Sequence, residues 1–207
     1  MGVGSRFLFP RTQALFEYLR AVDETTANHS LKVGELCWQM ANELGWQDQC
    51  GWLREAGTLH DIGKINLPRS ILHSTKIFTP GERKTVEQHV RYTGDILLKY
   101  AYPPELIRAC VQHHERLDGT GYPAGLKGKE ICPGGRLLAV ADVFSALISP
   151  RPYRGALPVK KALDLMLEEA YSRKLDSSLV WCLVEMNLEN LKETAESNKL
   201  LTPVSVN

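Results

Sequence analysis

The chain has little that would hold it together covalently. Its five cysteines, at positions 37, 50, 110, 132 and 182, are odd in number, and no two form a C-x-x-C pair. A disulfide framework or a zinc ribbon is therefore excluded, and a reducing compartment is the simpler reading. No run approaches the roughly 18 apolar residues that a membrane-spanning helix needs. The opening Met1–Pro10 has one Arg and a short apolar patch, without the longer apolar core of a secretory signal. The expectation is a cytoplasmic protein with no membrane span. Excess charge is also missing: 25 Lys+Arg stand against 24 Asp+Glu. A duplex-binding protein carries a basic surplus to neutralise phosphates, so a long nucleic acid is not the expected partner, whereas a small phosphorylated ligand needs only a few local cations. Alternating β-branched runs, internal repeats and low-complexity tracts are absent as well, which argues against strands, solenoids and disorder.

What is present is helical periodicity over 207 residues, 43% of them apolar and 24% charged. That is enough chain for one domain with a sizeable core. From Thr26 to Leu44 the apolar residues Leu31, Val33, Leu36, Cys37, Met40, Ala41 and Leu44 recur near the helix period, and Gly45 offers a C-terminal stop. A second helix is expected from about Asp48 to His60. Thr79-Pro80-Gly81-Glu82 has the cap, the first-turn proline and the returning glutamate of a helix start. Pro103-Pro104 opens another helix, reaching His113-His114. Residues 115–135 hold six glycines and two prolines and read as a loop of turns. Helix resumes near Arg136 and stops at Ser149-Pro150-Arg151-Pro152, and two further helices are expected near 158–170 and 177–196. The organisation expected is an N-terminal helix or linker stub over 1–22, a domain over 23–196 and a frayed tail over 197–207.

Five of the six histidines, His29, His60, His89, His113 and His114, fall on separate helices or at their ends, with Asp61 beside His60 and Asp142 on a later helix. Alone, each imidazole is more often an ordinary core or surface group; His73, with no acidic neighbour, is assigned that way. An aspartate at a helix C-terminus is opposed by the helix dipole, so Asp61 calls for local stabilisation that a cation would supply. Imidazole with carboxylate suits iron, manganese or zinc rather than calcium. Seven candidate ligands exceed the needs of one tetrahedral ion. Two ions bridged by a carboxylate fit the number better and suit phosphodiester displacement.

The H…HD…D pattern of His29, His60-Asp61 and Asp142 resembles the HD superfamily of metal-dependent phosphohydrolases. His113-His114-Glu115-Arg116-Leu117-Asp118-Gly119-Thr120-Gly121-Tyr122-Pro123 resembles the HHExxDGxGYP motif of its HD-GYP family. His60-Asp-Ile-Gly-Lys-Ile65, Ala141-Asp-Val-Phe144 and Arg151-Pro-Tyr-Arg154 support the match, which covers about residues 26–185. The resemblance implies an all-α HD-domain bundle of about seven to eight helices with a GYP-type loop over a metal site. It implies hydrolysis of cyclic di-GMP to pGpG and often to GMP, some family members acting on cyclic GMP-AMP. It implies iron or manganese, with His29, His60, Asp61, His89, His113, His114 and Asp142 as ligands and Asp61 as bridge. Lys64 is then expected at the scissile phosphate, and Tyr122, Arg151 and Arg154 at the ligand. Glu115 and Asp118 are expected to orient imidazoles.

Two positions depart from the family pattern. Trinuclear members carry a Glu four residues before the first motif His; here Thr25 stands there and Glu24 is one residue out of register, so two divalent ions are expected. Ser145 stands where the family commonly has Asp, which would lower metal affinity or activity if that Asp supports the ligands. The alternatives are an HD hydrolase for another nucleotide, a weak or inactive signalling module that binds a cyclic dinucleotide or a diguanylate cyclase through the GYP loop, and a di-iron oxygenase.

Overall fold

The structure, a computed structural model, describes residues 9–74, 76–150 and 155–187. Helices dominate: α1 (Pro10–Val22), α2 (Glu24–Glu43), α3 (Gln47–Leu59), α4 (Arg69–Leu72), α5 (Pro80–Lys99), α6 (Pro104–Gln112), α7 (Pro133–Ile148) and α8 (Val159–Tyr171), then α9, helical over 177–187. Short 3-10 turns occupy Ile62–Asn66 and Gly128–Glu130. Among the described residues there is no strand, only an isolated bridge between Asp118 and Lys127. The all-α class is as expected; the short α4 is the element the periodicity missed.

Local chemistry explains most boundaries. Thr79 accepts from the Glu82 amide while the Glu82 carboxylate accepts from the Thr79 amide, closing the expected box at the start of α5. Gly45 (φ +71°) ends α2: its amide donates to Asn42 and the Trp46 amide to Ala41, a Schellman stop that needs the left-handed residue. α7 differs from expectation. It begins at Pro133 rather than near Arg136, with Cys132 as N-cap. Gly134 and Gly135 are poor helix formers, but packing outweighs that propensity. A Cβ on Gly134 would lie 2.7 Å from the Trp52 ring, so the first turn of α7 needs glycine to sit against α3.

α7 is the axis of the bundle. Leu137, Leu138, Val140, Ala141 and Phe144 are buried, and α7 packs against α2, α3, α6 and α8. α1 adds Leu15, Phe16 and Leu19 to the same core. The buried Glu55 of α3 accepts from the Phe9 amide and the Thr12 hydroxyl, both at 2.7 Å, and so holds the start of α1.

Two close approaches bring the histidine-bearing elements together. α2 and α3 cross at glycines: a Cβ on Gly57 would lie 2.7 Å from the Gly34 Cα. Gly63 sits so near α5 that a Cβ would fall 2.1 Å from the His89 carbonyl oxygen. Its amide donates to Thr93 Oγ1, which donates to the His60 carbonyl, each at 3.0 Å. Thr93 therefore ties the segment after His60 to α5 one turn beyond His89.

Candidate metal centre

His29 lies in the second turn of α2 and His60 caps the C-terminus of α3, with Asp61 directly after it. His89 is mid-α5, His113 caps α6 with His114 following, and Asp142 is on α7. All seven converge. Their donor atoms form two groups, each within 4.8 Å: Asp61, His89, His113 and His114 in one, His29, His60 and Asp142 in the other.

Asp61 stands between the groups. Its Oδ1 is 3.2 Å from His89 Nε2, and its Oδ2 is 3.2 Å from His60 Nε2 and 2.6 Å from Lys64 Nζ. Asp142 Oδ1 lies 2.8 Å from His29 Nε2 and 3.8 Å from His60 Nε2. The rings pack edge-on: His60 and His113 centroids are 4.9 Å apart, those of His89 and His114 5.1 Å.

Backbone carbonyls orient three rings. His60 Nδ1 is 2.7 Å from Gly57 O, His89 Nδ1 is 2.6 Å from Val86 O, and His113 Nδ1 bonds Cys110 O. A carbonyl only accepts, so each ring carries its proton on Nδ1 and turns a lone pair on Nε2 into the centre. Those Nε2 atoms of His60, His89 and His113, with Asp61 Oδ1, are buried without a hydrogen-bond partner. Buried polar atoms are rarely left unpaired. Three lone pairs and a carboxylate oxygen aimed into one space fit a divalent cation: the residues match the group that the donor chemistry calls for.

The protonation states of His29, His113, His114, Asp61 and Asp142 agree, and His60 is the exception. Burial pushes His113 down to about 3, helped by the neighbouring His60. Burial, then His113, pushes His114 well below its ordinary value, and burial lowers His29 despite its bond to Asp142. Burial opposes ionisation of Asp61 and Asp142. It is outweighed by Lys64 and His60 for Asp61, and by His29 and His60 for Asp142, so both are held well below the usual carboxylate range. For His60 burial is likewise outweighed, by Asp61 and Asp142, and its value rises. Neutral imidazoles and ionised carboxylates are the forms that bind metal.

The GYP loop closes one side. The Tyr122 ring lies against His114, centroids 4.6 Å apart, and its amide donates to the His114 carbonyl. Burial, with Asp61 and Asp142 nearby, keeps the phenol protonated. Gly119 has a positive φ of 83°. Gly121 does not; it is there because a Cβ would lie 2.4 Å from both His114 O and Arg116 N.

Glu115 and Asp118 differ from expectation, since neither bonds an imidazole. The buried Glu115 carboxylate accepts from the Ala124 and Leu126 amides, at 2.7 and 3.0 Å, and so clamps the GYP loop. Asp118 accepts from the Thr120 amide and hydroxyl, an exposed turn. Both carboxylates are taken up by donors of their own loop. Ser145 does reach one: its Oγ is 3.2 Å from His29 Nδ1. Arg151 and Arg154 lie outside the described residues. Sequence reasoning missed Gly63 and Thr93; the Gly after His60-Asp61-Ile62, and a Thr one turn after His89, were the available signals.

The HD domain family matches over residues 8–179. The chain is 41% identical over 148 residues to 3'3'-cGAMP-specific phosphodiesterase 3 of Vibrio cholerae serotype O1, covering 71% of this chain and 32% of that protein. It is 37% identical over 193 residues to a cyclic di-GMP phosphodiesterase of Thermotoga maritima, covering 92% of this chain and 51% of that one. This chain thus spans about half or less of the length of these curated relatives. Among solved structures, Bd1817, an HDG"Y"P protein from Bdellovibrio bacteriovorus, matches with a TM-score of 0.65 at 22% identity, over 84% of this chain and 61% of that one. At that identity the likeness speaks for the fold. With the family match extending over most of its length and both signature motifs written in its own residues, the chain belongs to the HD domain family, in its HD-GYP form.

Proposed function

We propose that this chain is a metal-dependent phosphodiesterase that opens a cyclic dinucleotide, cyclic di-GMP foremost, to pGpG and/or GMP. The observation that carries the reading is Asp61, one oxygen turned to each ligand group, amid imidazole nitrogens that lack any other partner. His29, His60 and Asp142 would hold one divalent ion, and His89, His113 and His114 the other, with Asp61 shared. Iron or manganese suits this mixed nitrogen and oxygen set. When bound, such a pair supplies an activated water and Lewis-acid stabilisation of the phosphodiester oxygens.

The remaining roles belong to the chain itself. Lys64, 23% exposed and beside Asp61, offers a cation to the phosphoryl oxygen on which charge develops. Tyr122 presents a protonated phenol at the edge of the centre for the ligand. Arg151 and Arg154 are assigned to the ligand from the sequence, as planar forks for phosphate or guanine edges. The relatives named above are described as acting on cyclic di-GMP and on 3'3'-cGAMP, which supports the substrate class. No helix among the described residues is long and apolar enough to cross a membrane, and a cytoplasmic setting is part of the proposal.

One observation favours a second reading. Ser145 supplies His29 with a hydroxyl where the family commonly has a carboxylate. A module weakened in this way would bind the dinucleotide, or a diguanylate cyclase through the GYP loop, without turnover. Incubation of manganese-loaded protein with cyclic di-GMP and cyclic GMP-AMP, products followed by chromatography, separates the two. Linear products support the hydrolase, whereas tight binding with no product supports the module.

A further inference from the structure

A cavity of about 370 Å³ lies away from the metal centre, between the starts of α3, α6 and α7. That size falls among small-molecule sites, about 300–1,000 Å³. The same helices carry metal-centre residues further along. Leu53, Arg108 and Gly134 on the cavity stand seven, five and eight residues before His60, His113 and Asp142, about 8–12 Å along the helix axes. Two indoles, Trp46 and Trp52, give the cavity apolar walls. Its polar groups are few and open. Glu105 and Arg108, exposed and one turn apart on α6, make no ion pair or side-chain hydrogen bond among the described residues. At the start of α7, Pro133 has no amide hydrogen. Gly135 donates to Cys132 Sγ at 3.3 Å, and Arg136 donates to the Cys132 carbonyl. The buried Gly134 amide is left without a partner among the described residues. Buried amides are rarely left so.

We propose that this cavity is a binding site for a guanine base, separate from the metal centre. Aromatic faces stack with any base, so the polar groups choose which one. Guanine sets two donors, the N–H groups of N1 and N2, beside two acceptors, O6 and N7. A carboxylate accepts from the first pair, and an arginine fork donates to the second. Glu105 and Arg108, neighbours at i and i+3, offer those two groups side by side. The open Gly134 amide adds a further donor at the wall. Adenine reverses the match: its N1 acceptor meets the carboxylate and its N6 amine meets the arginine. The site does not depend on what the metal centre hydrolyses.

Equilibrium dialysis of the metal-loaded full-length chain against guanosine tests this, because guanosine has no phosphate to carry it to the metals. Saturable binding of one guanosine per chain is expected, with adenosine about tenfold weaker. Trp46→Leu should weaken guanosine about tenfold, the scale for losing one stacking face. Arg108→Ala should do the same by removing the fork. Glu105→Gln should weaken guanosine and leave adenosine unchanged, a change of selectivity that a merely structural loss would not produce. Glu105 and Arg108 are exposed, so their variants should keep the fold. Asp61→Ala, at the metal centre, should bind guanosine as the wild type does. No saturable guanosine binding, equal binding of adenosine, or guanosine lost in Asp61→Ala but kept in Trp46→Leu overturns the proposal. Cyclic di-GMP turnover by the same preparation is read separately. Turnover without guanosine binding defeats this site alone, whereas guanosine binding without turnover supports this site and counts against the phosphodiesterase reading only.

Discussion

Lys64 and Asp61 form the closest charged contact of the centre, the ammonium 2.6 Å from Oδ2, the same oxygen that faces His60. The lysine reaches back three residues along the 3-10 turn that Asp61 begins. The aspartate that the α3 dipole disfavours is thus stabilised by a cation from its own turn, and the same cation stands beside the ligand groups.

Lys64→Met should therefore separate binding from turnover. Metal content is expected to stay near that of the wild type, because the seven ligands are untouched. The kcat should fall about 100-fold or more, the scale for losing one group that stabilises developing negative charge. Metal analysis alongside steady-state kinetics checks this; unchanged kcat in a metal-replete variant would remove Lys64 from the reaction.

Gly63→Ala should destabilise the fold beyond ordinary glycine replacement. The new Cβ meets backbone atoms of α5, His89 O at 2.1 Å and Thr93 N at 2.4 Å, so no side chain can yield. Overpacking of this kind costs about 1–3 kcal/mol. Urea denaturation should show it, along with weakened metal binding as His60-Asp61 moves off His89.

Glu115→Ala should unfasten the GYP loop. The buried carboxylate accepts two backbone amides, so its loss should cost about 2 kcal/mol and leave the Ala124 and Leu126 amides unpaired. Tyr122, two residues before Ala124, loses its support. A raised KM with little change in metal content is the expected kinetic result.

The metal-free protein should lose stability as pH falls from about 6.5. His29, His113 and His114 have folded values below the unfolded one, that of His113 at about 3. Between those limits the unfolded chain binds more protons, which favours unfolding in acid. Asp61 and Asp142, also lowered, add to the loss at lower pH. His60, raised, acts the other way, its contribution lost as pH rises through the folded value. Three imidazoles against one fix the sign. Thermal midpoints of chelated protein between pH 7.5 and 5 should therefore fall with pH, a range chosen to bracket the ordinary histidine value.

Much of this was legible in the sequence because its causes are local. Thr79 to Glu82 and Gly45 fix helix ends by hydrogen bonds within a few residues. The motif histidines announced a centre because a metal demands particular residue types. What was not legible depends on partners distant in sequence. Gly134 reads as a helix breaker until Trp52 is found against it. Glu115 reads as a support for imidazoles until its carboxylate is seen on two loop amides. Ser145 was legible as a departure, but its effect depends on which nitrogen of His29 it faces.

If the His and Asp cluster hydrolyses a cyclic dinucleotide through bound metal, turnover must depend on the metal and on Asp61 at its middle. The direct measurement is anaerobic incubation of Fe²⁺- or Mn²⁺-loaded protein with cyclic di-GMP, beside chelated protein and Asp61→Ala. The loaded wild type alone should yield pGpG or GMP, with the Asp61→Ala helices intact by circular dichroism. Turnover retained in Asp61→Ala, or no product from fully loaded wild type with any cyclic dinucleotide, would contradict it.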